Sequence, residues 1–449
     1  MTTPMMLQYR GIKEKAPGTI LFYRLGDFYE MFGEDAELAA PILQIALTGR
    51  DAGDGKRIAM CGVPYHAIDN YLSKLVKAGH KVAICEQVED AKNAKGIVKR
   101  DIIRIVSPGT LTESVPERSN HYLASVYQDT HWGLAFLDLS TGEFSMFQTP
   151  ELDVLLTELS RIHPAELLLP PELMKKPKPW EGYYCSVRER KTFCGQALRN
   201  RFLGQQDLFQ EFPVGTQAAT ALWSYILETM PSVDPTHIIE ITTFRSEDWM
   251  FLDQWTRRNL ELTQSLRSVE KKGTLLSVLD LTQTAFGGRL LKHWIDKPLL
   301  KQDAIDRRLN VVEELTTDSF LRRDLFKLLS EVYDLERLMG KVSYGTANAK
   351  DLLALAQTLA LLPEVRTLLM SSSAENLKSK APHLDGLDSL VVSFKVLLIP
   401  IPQYLYVMAI SSKPVIPKKW TNCVLFRPVG KHGLPNWRMQ NVNEPEFVP

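Results

Sequence analysis
Three observations predict a multidomain chain that begins α/β and continues all-α. Short β-branched and aromatic runs alternate with amphipathic stretches early on, alternating strands with tight turns return near residue 120, and beyond residue 249 period-3.6 patterning replaces strand signals. The reading is a small mixed α/β domain over 1–112, a linker over 113–119, a second α/β domain over 120–248, a helical segment over 249–390 and an aberrant tail over 391–449.

In the first domain Thr19-Ile-Leu-Phe-Tyr-Arg24 reads as a strand and Gly26-Asp27 as its stop. A helix-like spacing follows, with Met31, Leu38 and Ile42 on one side. Phe28 and Glu30 are then expected at a strand-to-helix junction, a rigid base from which side chains project. A ring there can wedge against a nucleic-acid base, and the nearby carboxylate can hydrogen-bond a base edge. Phe-x-Glu taken alone is better described as a core aromatic and a first-turn helix charge.

Lys56-Arg-Ile-Ala-Met60 reads as a strand ending at the Gly62-Val-Pro64 turn. Residues 67–79 form an amphipathic helix with Ile68, Tyr71, Leu72, Leu75 and Val76 inward and Gly79 just past its end. Buried strands are expected at 81–85 and 101–106. Between them stand Lys92, Lys95, Lys99 and Arg100, with Arg104 just beyond and only Asp101 opposing them. They are candidates to track phosphates, with a solvated loop as the alternative. Arg50, Tyr65 and His66 flank turns and are further DNA-backbone candidates; His66 has no second His or Cys at ligand spacing, so no metal site is assigned.

Residues 121–127 and 132–139 alternate as strands, and Ser140-Thr-Gly-Glu143 turns into a third at 144–147. A helix from about Glu151 carries Leu155, Leu156, Leu159 and Ile162 inward, and Ala165-Glu-Leu-Leu-Leu169 returns as a strand. Three hairpin-linked strands, a helix and a strand suggest a ribonuclease-H-like layer. Asp138 has Glu143 nearby but no clear third carboxylate, which disfavours a metal-dependent nuclease and favours a structural spacer that contacts partner proteins. Farther on, Leu252, Trp255, Leu262 and Leu266 mark one helix, Ile305, Leu309 and Val312 another, and Leu321, Leu325, Leu328, Val332, Leu335 and Leu338 a longer stripe, all read as core. Gly287-Gly288 reads as a close helix contact, since no Lys-Ser/Thr follows it at phosphate-cradle spacing.

Lys plus Arg and Asp plus Glu are balanced at 53 each in 449 residues, so global charge implies no partner, and nucleic-acid binding, if present, must come from local patches and shape. The five cysteines, Cys61, Cys85, Cys185, Cys194 and Cys423, show no Cys-x-x-Cys spacing, which reads as buried thiols in a reduced compartment. No signal-peptide pattern opens the chain, and the apolar run at 396–410 is broken by Pro400 and Pro402, so a soluble cytoplasmic protein is expected.

Five blocks carry a resemblance: Thr3-Pro-Met-Met-Leu-Gln-Tyr9, Leu21-Phe-Tyr-Arg-Leu-Gly-Asp-Phe-Tyr-Glu30, Cys61-Gly-Val-Pro-Tyr-His66, Val82-Ala-Ile-Cys-Glu-Gln87 and Arg104-Ile-Val-Ser-Pro-Gly-Thr110. In this order they resemble the mismatch-recognition domain of the bacterial MutS family of DNA mismatch-repair sensors. Residues 120–248 resemble the family's connector domain. Thr256-Arg-Arg-Asn-Leu-Glu-Leu262, Asp334-Leu-Glu-Arg-Leu338 and Tyr344-Gly-Thr-Ala-Asn-Ala-Lys-Asp-Leu-Leu353 resemble its helical core and the start of its lever. The resemblance implies that Phe28 stacks on a mispaired or unpaired base from the minor groove and that Glu30 hydrogen-bonds it. It also implies a nucleoid-associated protein that binds mismatched double-stranded DNA, engages a MutL-type partner through the connector, and in full-length form dimerises and uses ATP and Mg2+.

The resemblance stops near Leu390. From 389 to 443 no acidic residue occurs, and prolines at 400, 402, 414, 417, 428 and 435 interrupt helical patterning. A frameshift explains this tail best: residues 395–420, back-translated one nucleotide out of frame, can read as the family's continuation. No Gly-x-x-x-x-Gly-Lys-Ser/Thr occurs, and Gly430-Lys431 lacks the upstream glycine and the following hydroxyl. The expectation is a mismatch-binding chain without clamp or ATPase, with no catalytic residue and no cofactor of its own. A protein-interaction module, or an inactive product, is the alternative. Without returning lever helices, 250–390 is expected to be loosely folded and the tail disordered.

Overall fold
The computed structural model describes residues 3–51, 57–89, 96–175, 178–244, 249–266, 272–384 and 387–397, with two dipeptides at 427–428 and 437–438. The expected disorder of the tail falls largely outside the described residues. The chain divides into one unit of 1–281 with 288–299, and a second of 282–287 with the residues from 300 onward.

The first sheet contains β1 (Thr19–Leu25), β2 (Phe28–Phe32), β3 (Thr48–Asp51), β4 (Arg57–Pro64), β5 (Lys81–Gln87) and β6 (Arg100–Val106), in the order β3-β4-β2-β1-β5-β6. Only β1 and β5 pair in parallel. Helices α1 (Pro4–Lys13), α2 (Glu34–Leu43) and α3 (Ile68–Lys77) cover it. Alternation divides the strand side chains between two cores. Phe22, Tyr29, Met31 and Ile84 pack with α2 and α3, while Leu21, Tyr23, Phe32 and Cys85 pack with Met6, Tyr9 and Ile12 of α1. Helix α3 matches its predicted face, with Leu72, Leu75 and Val76 buried and Gly79 at φ +87° beyond its end.

Two local readings are corrected. Residues 28–32 are a strand, and the helix begins only at Glu34; its buried face is Ala36, Ala39, Ala40 and Leu43, leaving Leu38 exposed. Small alanines let this helix lie close to the sheet. The strand beginning at Arg57 does not stop before Gly62: β4 runs to Pro64, pairing residue by residue with β2.

The second sheet comprises β7 (Tyr122–Gln128), β8 (Trp132–Asp138), β9 (Glu143–Thr149), β10 (Glu166–Leu169), β11 (Cys185–Val187) and β12 (Thr242–Thr243), in the order β11-β10-β7-β8-β9-β12. The meander β7-β8-β9 is antiparallel, and β10 adds in parallel beside β7, as in a ribonuclease-H-like layer. Helix α4 (Leu152–Ile162) buries Leu155, Leu159 and Ile162 on one face. After the short α5 (Pro171–Met174), α6 (Ala197–Arg201) and α7 (Gln206–Glu211), helix α8 (Pro213–Thr229) covers the other face. It comes so close that a Cβ on Gly133 of β8 would lie 2.3 Å from the Val214 carbonyl oxygen.

Glu166 of β10 is fully buried and joins the two sheets. Its Oε1 lies 3.1 Å from Lys81 Nζ of β5 and accepts hydrogen bonds from Ser186 Oγ at 2.6 Å and Tyr225 OH at 2.9 Å. Its Oε2 accepts from the Ser107 hydroxyl and from Gly109 N at 3.0 Å. Burial pushes Glu166 upward, but Lys81 and these donors outweigh it and hold the carboxyl below the usual carboxylate range. The linker is tied at both ends. Arg104 binds Glu113 at 2.6 Å, Arg118 binds Asp280 at 2.9 Å, and Arg289 donates to Glu117 O at 2.6 Å.

From residue 250 to 397 the described regular structure is helical: α9 (Gln254–Asn259), α10 (Leu275–Leu279), α11 (Ala285–Asp296), α12 (Gln302–Thr317), α13 (Ser319–Leu329), α14 (Leu335–Ser343), α15 (Ala349–Ser371), α16 (Glu375–Lys378) and α17 (Asp388–Leu397); the two described dipeptides beyond it, Arg427–Pro428 and Trp437–Arg438, pair as antiparallel strands. Several stripes read as core are not buried. Trp255 is 64% exposed and Val312 57%, and α12 has no buried residue at all. The long leucine stripe is two helices, because the Asp334 carboxylate caps a new one by accepting from Arg337 N. Gly287 makes room for a cap rather than a helix seam: its N–H donates to Thr284 Oγ1 at 3.1 Å, and a Cβ would sit 2.7 Å from that oxygen. Helix α15 is long and apolar enough to cross a membrane by length and composition. Its Leu355, Ala356 and Leu359 pack with Leu338, Val391 and Phe394, and its Val365 with Leu321, Leu325 and Leu328, as a core helix does. Helix α17 thus runs through residue 390, where the resemblance was expected to stop.

Candidate nucleic-acid interface
Gly26 and Asp27 form a two-residue hairpin between β1 and β2, with Leu25 opposite Phe28. Gly26 has φ +59°, the conformation that a tight hairpin with glycine at its first central position requires. Side chains along β2 then alternate. Tyr29 and Met31 enter the core, with Tyr29 hydrogen-bonded to Glu86, while Phe28, Glu30 and Phe32 share the other face. Exposure rises along that face toward the turn. Phe32 is buried with its ring 5.0 Å from that of Tyr9, Glu30 is half-buried, and Phe28 is 47% exposed.

Phe28 thus projects from a fixed strand end. On its other side Pro64 of β4 is its pairing partner, and Tyr65 N donates to Asp27 O at 3.0 Å, bringing exposed Tyr65 beside the hairpin. The Arg24 guanidinium lies 3.9 Å from the Tyr65 ring centre, donates from Nε to Gly26 O at 2.6 Å and pairs with Glu86 at 3.4 Å. Sequence reading missed Arg24; its position in a strand two residues before a glycine turn is the available signal. His66 is exposed, its ring edge-on to Tyr65 at 5.8 Å, and no metal-holding group of His, Cys, Asp and Glu occurs among the described residues.

Arg50, ranked as a backbone candidate, is paired instead with the neighbouring candidate: its Nη1 lies 2.5 Å from Glu30 Oε2. Of the five clustered cations, Lys92 and Lys95 lie outside the described residues, and Lys99 is exposed. Arg100 and Arg104 are corrected to structural roles. Arg100 is buried, donating to Arg24 O at 2.7 Å and Gln8 Oε1 at 3.1 Å with its guanidinium 4.9 Å from the Tyr23 ring. Arg104 spends its two Nη groups on Glu113, Thr110 O at 2.8 Å and Thr112 Oγ1 at 3.1 Å, and its Nε is buried. Neither guanidinium is offered to a phosphate.

The carboxylates of the second sheet are likewise engaged. Asp138 is buried and accepts from Asn120 Nδ2 at 3.1 Å, His121 N at 3.1 Å and Ser140 Oγ at 2.7 Å, the environment of a turn-stabilising residue. The expectation of buried thiols holds for Cys61 and Cys85, which burial pushes up to about 11 and about 12. Cys185 is half-buried and Cys194 exposed, while Cys423 lies outside the described residues.

Comparison with known proteins bears on all three regions. The family models for MutS domain I, MutS domain II and MutS domain III match residues 3–115, 121–238 and 255–400. A DNA mismatch repair protein MutS of Desulfitobacterium hafniense is 63% identical over 395 residues, covering 88% of this chain and 46% of that protein. Proteins of the same name from Desulforamulus reducens and Ruminiclostridium cellulolyticum are 45% and 44% identical, with 86% and 89% of this chain and 46% and 48% of theirs covered. The chain spans about half the length of these relatives. With domains I, II and III matched in order and this level of identity across them, the chain belongs to the MutS family of DNA mismatch repair proteins.

Proposed function
We propose that this chain recognises mispaired or unpaired bases in duplex DNA, the sensing step of post-replicative mismatch repair. Phe28 enters from the minor groove as an aromatic wedge, and Glu30 hydrogen-bonds the displaced base. The observation that carries the reading is the half-exposed Phe28 at a hairpin fixed on both sides, with a carboxylate two residues on along the same face. A mispair lowers the cost of unstacking a step, so a rigid wedge gains most where pairing is already weak. A carboxylate close to phosphates is repelled by matched duplex and compensated only by a donor on a displaced base, which turns its charge into discrimination.

In this reading 1–112 serves recognition, 120–248 is a connector that receives a MutL-type partner, and 249–390 begins the helical core. Lys92, Lys95 and Lys99 remain the proposed phosphate contacts from the basic segment. The ATP- and Mg2+-dependent step and the dimeric clamp of the family are functions of the full-length protein; the part proposed for this chain is binding, with no cofactor, in the bacterial cytoplasm.

Fluorescence-anisotropy titration with a duplex carrying one G·T mispair or one unpaired T, against its matched control, tests this. The expected result is a preference for the defective duplex that Phe28→Ala abolishes, and that Glu30→Ala narrows while tightening matched binding. Equal binding to both duplexes, insensitive to Phe28→Ala, would remove the proposal and favour a protein-interaction module.

A further inference from the structure
The pair between Glu30 and Arg50 is built by the sheet rather than by chain proximity. Arg50 stands on edge strand β3 opposite Ile58, whereas Glu30 on β2 is opposite Gly62, so β4 separates them and they are offset along it. The guanidinium reaches back along the strand, passing 6.0 Å from the ring of Phe32, which is opposite Met60 midway between them. Gly62 leaves the flank of Glu30 open: a Cβ there would lie 3.5 Å from Glu30 Cγ. The carboxylate is thus held along the sheet, on the face from which Phe28 projects.

We propose that Arg50 is the positioning residue for Glu30, holding its carboxylate neutralised against the sheet and releasing it to a base edge only where Phe28 has opened a weakened step. The inference rests on the base-reading role proposed for Glu30. Breaking a half-buried pair requires a replacement donor for the carboxylate. A displaced base supplies that donor. A matched duplex, its base edges already paired and its phosphates repelling the carboxylate, does not, and the pair stays closed. Arg50 therefore sets the threshold at which Glu30 becomes available, making it a specificity-determining residue without itself touching a base.

A double-mutant cycle on the full chain tests this, with binding to G·T and matched duplexes measured across a salt series for Arg50→Met, Glu30→Gln and both together. Arg50→Met is expected to weaken matched-duplex binding roughly tenfold when Glu30 is present, because an unpaired carboxylate then faces the polyanion with no displaced base to receive it, and less than about twofold when Glu30 is already Gln. Arg50→Lys, which keeps the charge but loses the planar fork, is expected to give a smaller loss with the same rescue. Equal losses in both backgrounds, with the salt slope reduced by about one, would make Arg50 an ordinary phosphate contact and overturn the inference. Phe28→Ala run in parallel separates the two proposals. Lost preference with additive Arg50 and Glu30 effects removes only the role of Arg50; preference that survives Phe28→Ala removes base reading and this inference with it.

Discussion
Glu166 concentrates the electrostatic cost of joining two domains in one side chain. Fully buried, it is tolerated because Lys81, Ser107, Gly109, Ser186 and Tyr225 all converge on it. Its carboxyl is held below its unfolded value, so the stability it contributes is complete above the ordinary carboxylate range and is lost as pH falls through the depressed value. Glu166→Gln is expected to cost about 3 kcal/mol at neutral pH and to flatten the acid limb of a stability-against-pH curve. Chemical denaturation between neutral and acidic pH checks both; an unchanged acid limb would mean that Glu113 and Glu158, also held low by buried cations, dominate it. The signal was present in the sequence, since a lone carboxylate in Ala165-Glu-Leu-Leu-Leu169 demands a partner. The identity of that partner was not legible, because nothing in the sequence connects Lys81, at the start of an expected buried strand, with a carboxylate in a different domain. The same limit misassigned Arg100 and Arg104. Clustering in sequence counts charges, but whether a guanidinium turns outward depends on acceptors such as Gln8 and the Arg24 carbonyl, far away in the chain.

Elements were legible wherever one period dominated. The α4 stripe and the helix that stops before Gly79 follow their patterns because each has a single buried face, and the meander, buried on both faces, was legible from its β-rich runs and its turns. Phe28-Tyr-Glu-Met-Phe32 was misread because aromatic or apolar residues stand on both sides of that strand, both faces being covered in part, so that period two was hidden. The turn residues were identified correctly; what they join was not. Helix α8 escaped for a related reason, being buried nearly all round and therefore without a contrasting polar stripe. Its approach to β8 depends on a missing side chain. Gly133→Ala must displace the Val214 carbonyl and is expected to destabilise the connector by roughly 2–3 kcal/mol, lowering its thermal midpoint. Gly182→Ala, at a position with open space around it, tests the packing argument poorly because of its φ of +90°; Gly204→Ala, with open space and no such φ, is the control expected to leave the midpoint unchanged.

At the scale of the whole molecule, cohesion is uneven. The two sheets have dense cores, while the helices from residue 300 onward are held by two smaller clusters, with Leu309, Val312, Phe320 and Phe326 exposed. Local opening follows such differences. Amides across 300–384 are therefore expected to exchange with solvent much faster than those of either sheet; uniform protection in a hydrogen-exchange experiment would contradict this. Period 3.6 in the sequence identified these helices, but periodicity shows only that a helix has an apolar side, not that anything covers it.

The tied linker has a mechanical meaning. A segment read as a polar spacer is fastened to the recognition sheet through Arg104 and Glu113 and, farther along, through Arg118 and the carbonyl of Glu117 to Asp280 and Arg289. With Glu166 as a third fastening, the hairpin that carries Phe28 is mounted on a strut rather than hung on a tether. If Phe28 prises a duplex as proposed, torque applied there would arrive at the second sheet as rotation instead of dissipating in slack chain.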